Sequence, residues 1–289
     1  MEKKTAAVSK NANVETKKNP VGSAFAAIVI PVAYLVCLGI YLFVLGNPAN
    51  FEGGDPANHP LPGNYLGIVY KGGIVVSILM ALVLMVFIFS IERALTISKA
   101  KGTKNIAQFV RTISAKLNQR DINGAMAACD AQKGSVANVV KAGLIKYKEM
   151  QNEPELLKAE KVAAIQKEIE ESTALELPML EKNLVVISTI ASISTLTGLI
   201  GTVLGMIKAF AALATAGSPD AVALANGISE ALINTALGVT GSALAIIAYN
   251  YFTSKIDELT YSIDEAGFSI ISTFASQHET TAAPRHQTV

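Results

Sequence analysis

The chain has 289 residues, a net charge of +1, and charges on only 16% of its residues. Soluble domains usually have about 25% charged residues, whereas here the charges cluster and long stretches contain none. This distribution indicates membrane spans separated by polar segments. The balanced charge, without a basic stripe and interleaved aromatic residues, excludes a nucleic-acid-binding protein.

The cysteines and histidines show no pattern of a metal or catalytic site. Cys37 and Cys129 share no metal-like spacing, so we expect two small buried side chains. The histidines lie in polar segments, where a solvated side chain is the default: His59, His278 and His286. No zinc-protease, nucleophile-elbow or P-loop pattern occurs. We therefore expect no enzyme, no cofactor and no metal site.

Four apolar stretches are long enough to cross a bilayer, which takes about 20 residues of helix. The first two contain no charge, the third contains Lys208, and the fourth contains Glu230. The predicted spans are residues 22–46, 72–91, 184–216 and 221–254. Lysines precede the first stretch, as in a signal peptide, but its length and its tyrosines favour a retained span.

Lysine and arginine placement predicts the orientation. These residues are frequent in segments 1–21 and 92–183 and nearly absent from segments 47–71 and 217–220. We expect the first two segments and the tail, residues 255–289, to be cytoplasmic. The other two would be a periplasmic loop and a periplasmic turn.

The segment between the second and third spans is predicted to be helical. Apolar residues recur at three- and four-residue spacing over 105–117, and residues 155–180 form an amphipathic, charge-rich pattern. The fourth helix is expected to continue past the membrane to about Ser276. The sequence thus predicts an all-α membrane protein with a helical cytoplasmic domain.

Small and polar residues form a stripe along each of the last two spans. The stripe in the third span consists of Ser188, Ala191, Thr195, Gly198, Thr202, Gly205 and Ala209. The stripe in the fourth consists of Gly227, Glu230, Asn234, Gly238, Gly241 and Ala245. Such stripes either pack helices closely or line a pore. We expect that a single copy leaves both facing lipid, which predicts a ring of copies.

Glu230 is the strongest candidate for a functional residue. It lies about nine residues inside the fourth span, or roughly 14 Å, which places it close to mid-bilayer. A carboxylate at that depth is costly, and such residues mark functional sites by default. Thr202 and Thr235 are about equally far from the turn at Ser218, so we expect carboxylate and hydroxyls to share one polar band suited to a proton path.

Two segments carry a resemblance to a known family. GLIGTVLGMI, residues 198–207, and GISEALINTALG, residues 227–238, resemble the GLxGTVxGM and GIxEALxxTAxGL segments of ExbB and TolQ. Ile91-Glu92-Arg93 and the AYNYF segment, residues 248–252, are weaker matches. The chain resembles the ExbB/TolQ/MotA proton-channel family, with ExbB as the expected nearest member, over roughly residues 68–271.

The resemblance implies a proton-channel subunit in the bacterial inner membrane. It implies a homo-pentamer, embedded in membrane lipid, around a pair of single-span ExbD/TolR-like helices. Proton motive force would then energise TonB-dependent outer-membrane transport through a TonB-like protein. Glu230, Thr202 and Thr235 match the residues of the family that handle protons.

The chain also departs from the family, and other functions stay open. The span at 22–46 is additional to the family's three-span pattern, and the proline that often precedes the GLxGT segment is replaced by Thr195-Leu196. Alternatives are a TolQ-like or gliding-type motor, a secondary transporter, and a non-conducting scaffold in which the glutamate pairs with a partner's cation. The choice between H⁺ and Na⁺ is also open.

Overall fold

The computed structural model describes residues 21–214 and 220–277. These residues form helices joined by turns, with no β-strand among them, which confirms the predicted all-α class. The predicted cytoplasmic segment before Val21, most of the 217–220 turn, and two of the histidines, His278 and His286, lie outside the described residues.

Nine α-helices follow one another in the described chain. Short π and 3₁₀ segments lie between α1 and α2, at Ile40–Leu45, Pro48–Asn50 and Glu52–Gly54. The α-helices are α1 Val21–Gly39, α2 Tyr65–Tyr70, α3 Val75–Lys101, α4 Ile106–Asn118, α5 Ile122–Gln132, α6 Gly134–Gln151, α7 Lys158–Glu181, α8 Leu184–Leu213 and α9 Ala221–Gln277.

Four helical stretches are long and apolar enough to cross a membrane. They begin at Phe25, Val75, Leu184 and Ala221, within three residues of the predicted starts. The second helix begins at Val75 rather than Gly72 because Gly73 has a φ of +75°, outside the right-handed helical region. The third helix ends at Leu213, and residues 215 and 216 of the predicted span lie outside the described residues.

The first span packs along α3 and leaves its other face exposed. Phe25 meets Phe89 edge to face, with ring centroids 5.9 Å apart, and Ala33 is buried with the α3 core. Exposed apolar side chains suited to lipid cover the opposite face: Ile28, Val32, Leu35 and Phe43. Cys37 and Cys129 are buried and free, which confirms the prediction for both cysteines.

Helices α4 to α7 and the second half of α9 continue the hydrophobic core beyond the spans. Tyr147 and Phe274 are fully buried there and meet edge to face at 4.9 Å. Ile113, Ile165 and Ile263 complete the same core. The 57 residues of α9, about 85 Å at 1.5 Å per residue, therefore run from the far end of the membrane hairpin into this core.

Arg93 joins α3 to the connection between α7 and α8. The residue is 2% exposed, and its guanidinium donates to the carbonyl oxygens of Leu180 at 2.8 Å and Met179 at 3.3 Å. It also forms an ion pair with Glu92, which accepts a hydrogen bond from Asn183 Nδ2 at 2.9 Å. These contacts fix the place where the long helix α7 meets the third span.

We predict that Arg93→Met lowers the free energy of unfolding by about 3 kcal/mol, because removing one partner strands a half-buried carboxylate and two carbonyl groups. Chemical denaturation in detergent micelles would measure this. Lys99→Met is the matched control, since Lys99 is an exposed cation on the same helix. Equal losses in the two variants would contradict a structural role for these contacts.

Candidate functional site

Glycines bring the backbones of α8 and α9 into contact. A Cβ atom added to Gly205 would lie 2.7 Å from the carbonyl oxygen of Gly227, and one added to Gly238 would lie 2.8 Å from the Cα of Gly198. Gly241 is also buried, against Ser194 and Val83. Most of the predicted stripes therefore pack on each other within one chain. The expectation that a single copy leaves them facing lipid is wrong.

Two residues of the predicted third-span stripe lie away from this contact. Ser188 is exposed and lines a cavity of about 250 Å³ with Tyr249, Thr253 and Asp257. Thr195 is half-buried. The buried hydroxyl that crosses the hairpin belongs instead to Ser194, which donates to the carbonyl oxygen of Gly238 at 3.0 Å.

Glu230 is buried and forms an ion pair with a lysine of its own chain. Lys208 Nζ lies 2.6 and 2.8 Å from the two carboxylate oxygens. The glutamate side chain is 9% exposed and the lysine side chain 61% exposed. The sequence pattern assigned no partner to Lys208. Its distance from the turn nearly equals that of Glu230, and this was the signal that could have paired them.

The backbone just before α3 forms one wall of the glutamate site. A Cβ atom on Gly73 would lie 2.6 Å from Glu230 Oε1, so the absence of a side chain admits the carboxylate. Asn234, fully buried, donates from Nδ2 to the carbonyl oxygen of Gly72 at 2.8 Å. Glu230 therefore lies level with the beginning of α3. The mid-bilayer position expected for Glu230 stays a prediction.

The additional first span also reaches this neighbourhood. The Tyr41 ring stacks on Tyr70 with centroids 4.8 Å apart, and its hydroxyl donates to the Tyr70 carbonyl oxygen at 3.3 Å. Tyr70 directly precedes the Lys71-Gly72-Gly73 segment. The end of the first span thus supports the backbone against which Glu230 rests.

Thr202 and Thr235 lie at one level, as their nearly equal distances from the turn predicted. Their hydroxyl oxygens are in direct contact. Thr202 Oγ1 donates to the Gly198 carbonyl oxygen at 3.0 Å, and Thr235 Oγ1 to the Ala231 carbonyl oxygen at 3.1 Å. Each hydroxyl has one proton, so when one threonine donates to the other it gives up the bond to its own helix.

The structure separates the predicted polar band into two pairs. At about 100° per residue, Thr202 and Lys208 lie about 120° apart around α8, and Thr235 and Glu230 about 140° apart around α9. The threonine pair and the ion pair consequently lie on opposite sides of the glycine contact. The ion pair lies on the side of α3. The prediction of one shared band was right about the position of these residues along the hairpin. It was wrong about the side of the hairpin to which the carboxylate and the hydroxyls point.

The site offers acid–base chemistry on a single carboxylate. Among the described residues, no group of three or more histidine, cysteine, aspartate or glutamate side chains could hold a metal ion. A carboxyl group beside an ammonium can bind or release one proton, and its attraction to that ammonium differs between the two states.

We predict that Gly73→Ala lowers the melting temperature more than Gly63→Ala does. Both glycines have positive φ, 75° and 79°, so an added Cβ strains both backbones by about 1 kcal/mol or more. Only at Gly73 would the Cβ meet the glutamate carboxylate; at Gly63 nothing lies within 4 Å. Thermal unfolding of the detergent-solubilised protein measures the difference. Matching losses would mean that the carboxylate is not held against Gly73.

Part of the chain is similar in sequence to known proteins, and the similar region contains the hairpin of α8 and α9. Residues 133–265 match the MotA/TolQ/ExbB proton channel family, and this range includes both threonines, Lys208 and Glu230. The chain is 31% identical over 124 residues to the Tol-Pal system protein TolQ of Pseudomonas aeruginosa, covering 43% of this chain and 54% of that protein. It is 26% identical over 201 residues to TolQ of Haemophilus influenzae, covering 68% and 87%.

A third relative is the biopolymer transport protein ExbB of Salmonella typhimurium, 31% identical over 85 residues, or 29% of this chain and 35% of that protein. The match thus spans about half of the first TolQ and about a third of this ExbB. TolQ and ExbB relatives are similarly close, so the expected ranking in favour of ExbB is not supported. Over residues 133–265, a little under half of its length, the chain is similar to the MotA/TolQ/ExbB proton channel family.

Proposed function

We propose that this chain is the proton-conducting subunit of an ExbB–ExbD-type motor in the bacterial inner membrane. In this proposal both termini are cytoplasmic, and proton motive force energises TonB-dependent transport at the outer membrane. The chain is not an enzyme, since its work is ion transfer. The observation that carries the proposal is the burial of Glu230, 9% exposed, on a helix long and apolar enough to span a membrane.

A buried membrane carboxylate is costly and therefore marks an ion path or a relay by default. One elementary charge that crosses 100 mV supplies about 2.3 kcal/mol, so several protons per cycle can drive a sizeable rearrangement. The long helix α9 supplies a route for that rearrangement, because it connects the Glu230 region to the core beyond the spans.

The threonine side of the hairpin favours assembly with further chains. It faces away from α3, and exposed apolar side chains lie within about 60° of the threonines on the helical wheel: Leu199, Leu232 and Val239. A pentamer of this chain around two ExbD/TolR-like helices would cover this face and place the hydroxyls beside the partner. This assembly would replace lipid with a polar path.

A TolQ-type motor is the second candidate. The alignment with the Haemophilus influenzae TolQ covers 87% of that protein, which favours a shared architecture. Isolation of the complex through a tag on this chain distinguishes the two candidates. TonB-like proteins in the complex would favour the ExbB-type motor, whereas Tol-Pal components would favour the TolQ type.

The ion pair between Lys208 and Glu230 is the observation that favours a non-conducting scaffold, because a paired carboxylate can serve assembly alone. We predict that Glu230→Gln leaves assembly intact and abolishes proton uptake by liposomes that contain the isolated complex. Glu258→Gln is the matched control: it too breaks a glutamate–lysine pair on α9, with a 2.8 Å separation, but on the exposed surface. Wild-type proton uptake by Glu230→Gln would leave the scaffold as the better explanation.

We predict that Thr202→Val and Thr235→Val each reduce proton uptake strongly, while Thr→Ser at either position preserves it. The valine keeps the shape and removes the hydroxyl, and membrane hydrogen bonds contribute about 0.6 kcal/mol on average, so the yield of complex should change little. Thr189→Val serves as control, because Thr189 is an exposed threonine on α8 with the same bond to its own helix, 2.7 Å to the Val185 carbonyl oxygen. If lost uptake merely follows lost complex, the threonines act in packing.

A further inference from the structure

The two partners of the buried ion pair differ in their freedom to move. Glu230 is enclosed by its own helix, by the Gly73 backbone and by Lys208. Lys208 reaches the carboxylate from an exposed position on α8, with 61% of its side chain accessible. A lysine stem has four rotatable carbon–carbon bonds and a compact charge. The lysine is therefore the mobile partner and the glutamate the fixed one.

The backbone of Gly72 and Gly73, against which the carboxylate packs, favours a carboxylate that points toward α3. Gly73 adopts a φ of +75°, a conformation that favours glycine, and leaves no side chain where the carboxylate lies. Asn234, one turn along α9 from Glu230, donates a hydrogen bond to the carbonyl oxygen of the neighbouring Gly72. With Lys208 bound, the carboxylate therefore faces α3, on the opposite side of the glycine contact from the two threonines.

We propose that Lys208 is a lock on Glu230: the ammonium binds the carboxylate and holds it turned toward α3, and the proton path is closed until this ion pair separates. The proposal rests on the proposed function, since it concerns the regulation of the same glutamate. One proton added to a carboxylate oxygen removes the charge that attracts Lys208, and the lysine keeps its own proton. Protonation of Glu230 and release of Lys208 are consequently the same switch.

Release has a second consequence on the exposed face of α8. An unpaired ammonium at the end of a span is free to move toward water or toward an acidic group on another chain. The position of the Lys208 ammonium thus depends on the protonation of Glu230, and a chain that packs beside α8 would contact it differently in the two states. This is a differential contact of the kind that coupling between ion transfer and movement requires.

The test measures the reaction of Glu230 with dicyclohexylcarbodiimide, which modifies protonated carboxyl groups in apolar surroundings. A nearby opposite charge changes the protonation equilibrium of a carboxyl group by about tenfold or more. We expect Lys208→Met to label roughly tenfold faster than the wild-type chain, and Lys208→Arg to label at the wild-type rate. Mass spectrometry of the full chain locates the adduct, and Glu230→Gln gives the background.

Lys255→Met is the matched control, because it removes the cation of an exposed pair with Glu258 at 2.8 Å on α9 and should leave labelling of Glu230 unchanged. Lys208→Gln repeats the test should the methionine variant fail to fold. Labelling of both Lys208 variants at or below the wild-type rate overturns the lock. Because labelling needs no ion flux, it tests the lock even if Glu230→Gln conducts normally, an outcome that would overturn the proposed function instead.

Discussion

The contact between the glycines of α8 and α9 is the constraint on which the site depends. With Gly205 and Gly227 in backbone contact, the two helices approach more closely than side chains would allow. This closeness puts the Thr202 and Thr235 hydroxyls in contact on one side and lets the Lys208 ammonium reach Glu230 on the other. Bulkier residues along the contact would separate both pairs together.

The same hairpin is joined to the rest of the molecule at two distant points. Near its turn, Glu230 rests on Gly73, at the beginning of α3. Near its other end, Arg93 of α3 binds the carbonyl groups of Met179 and Leu180, just before α8. Helix α3 is thus attached near both ends, and a change at Glu230 acts on a helix that is also fixed, through Arg93, to the connection between α7 and α8.

Sequence periodicity predicted what depends on distance along a helix. The four spans, the continuation of α9 to Gln277 and the common level of the two threonines all follow from counting residues. Direction around the helix axis was harder to predict, because it depends on which neighbour each stripe meets. The small-residue stripe was expected to face other copies and instead faces its own partner helix. The pairing of Lys208 with Glu230 was missed for the same reason, although the nearly equal distances of the two residues from the turn indicated a common depth.

The residues that hold the glutamate come from two parts of the chain with different relationships to the family. Residues 133–265, which match the family, contribute Lys208, Glu230 and both threonines. Gly73, against which the carboxylate packs, lies before that range, and Tyr41 of the additional span stacks on Tyr70 three residues earlier. The matched region therefore contains both members of the ion pair but not the wall that directs the carboxylate toward α3. A change in the first span can reach Glu230 through Tyr41, Tyr70 and Gly73, and the same part of the span packs near Ile233 and Leu237 of α9, which places the additional span next to the glutamate site rather than at the edge of the protein.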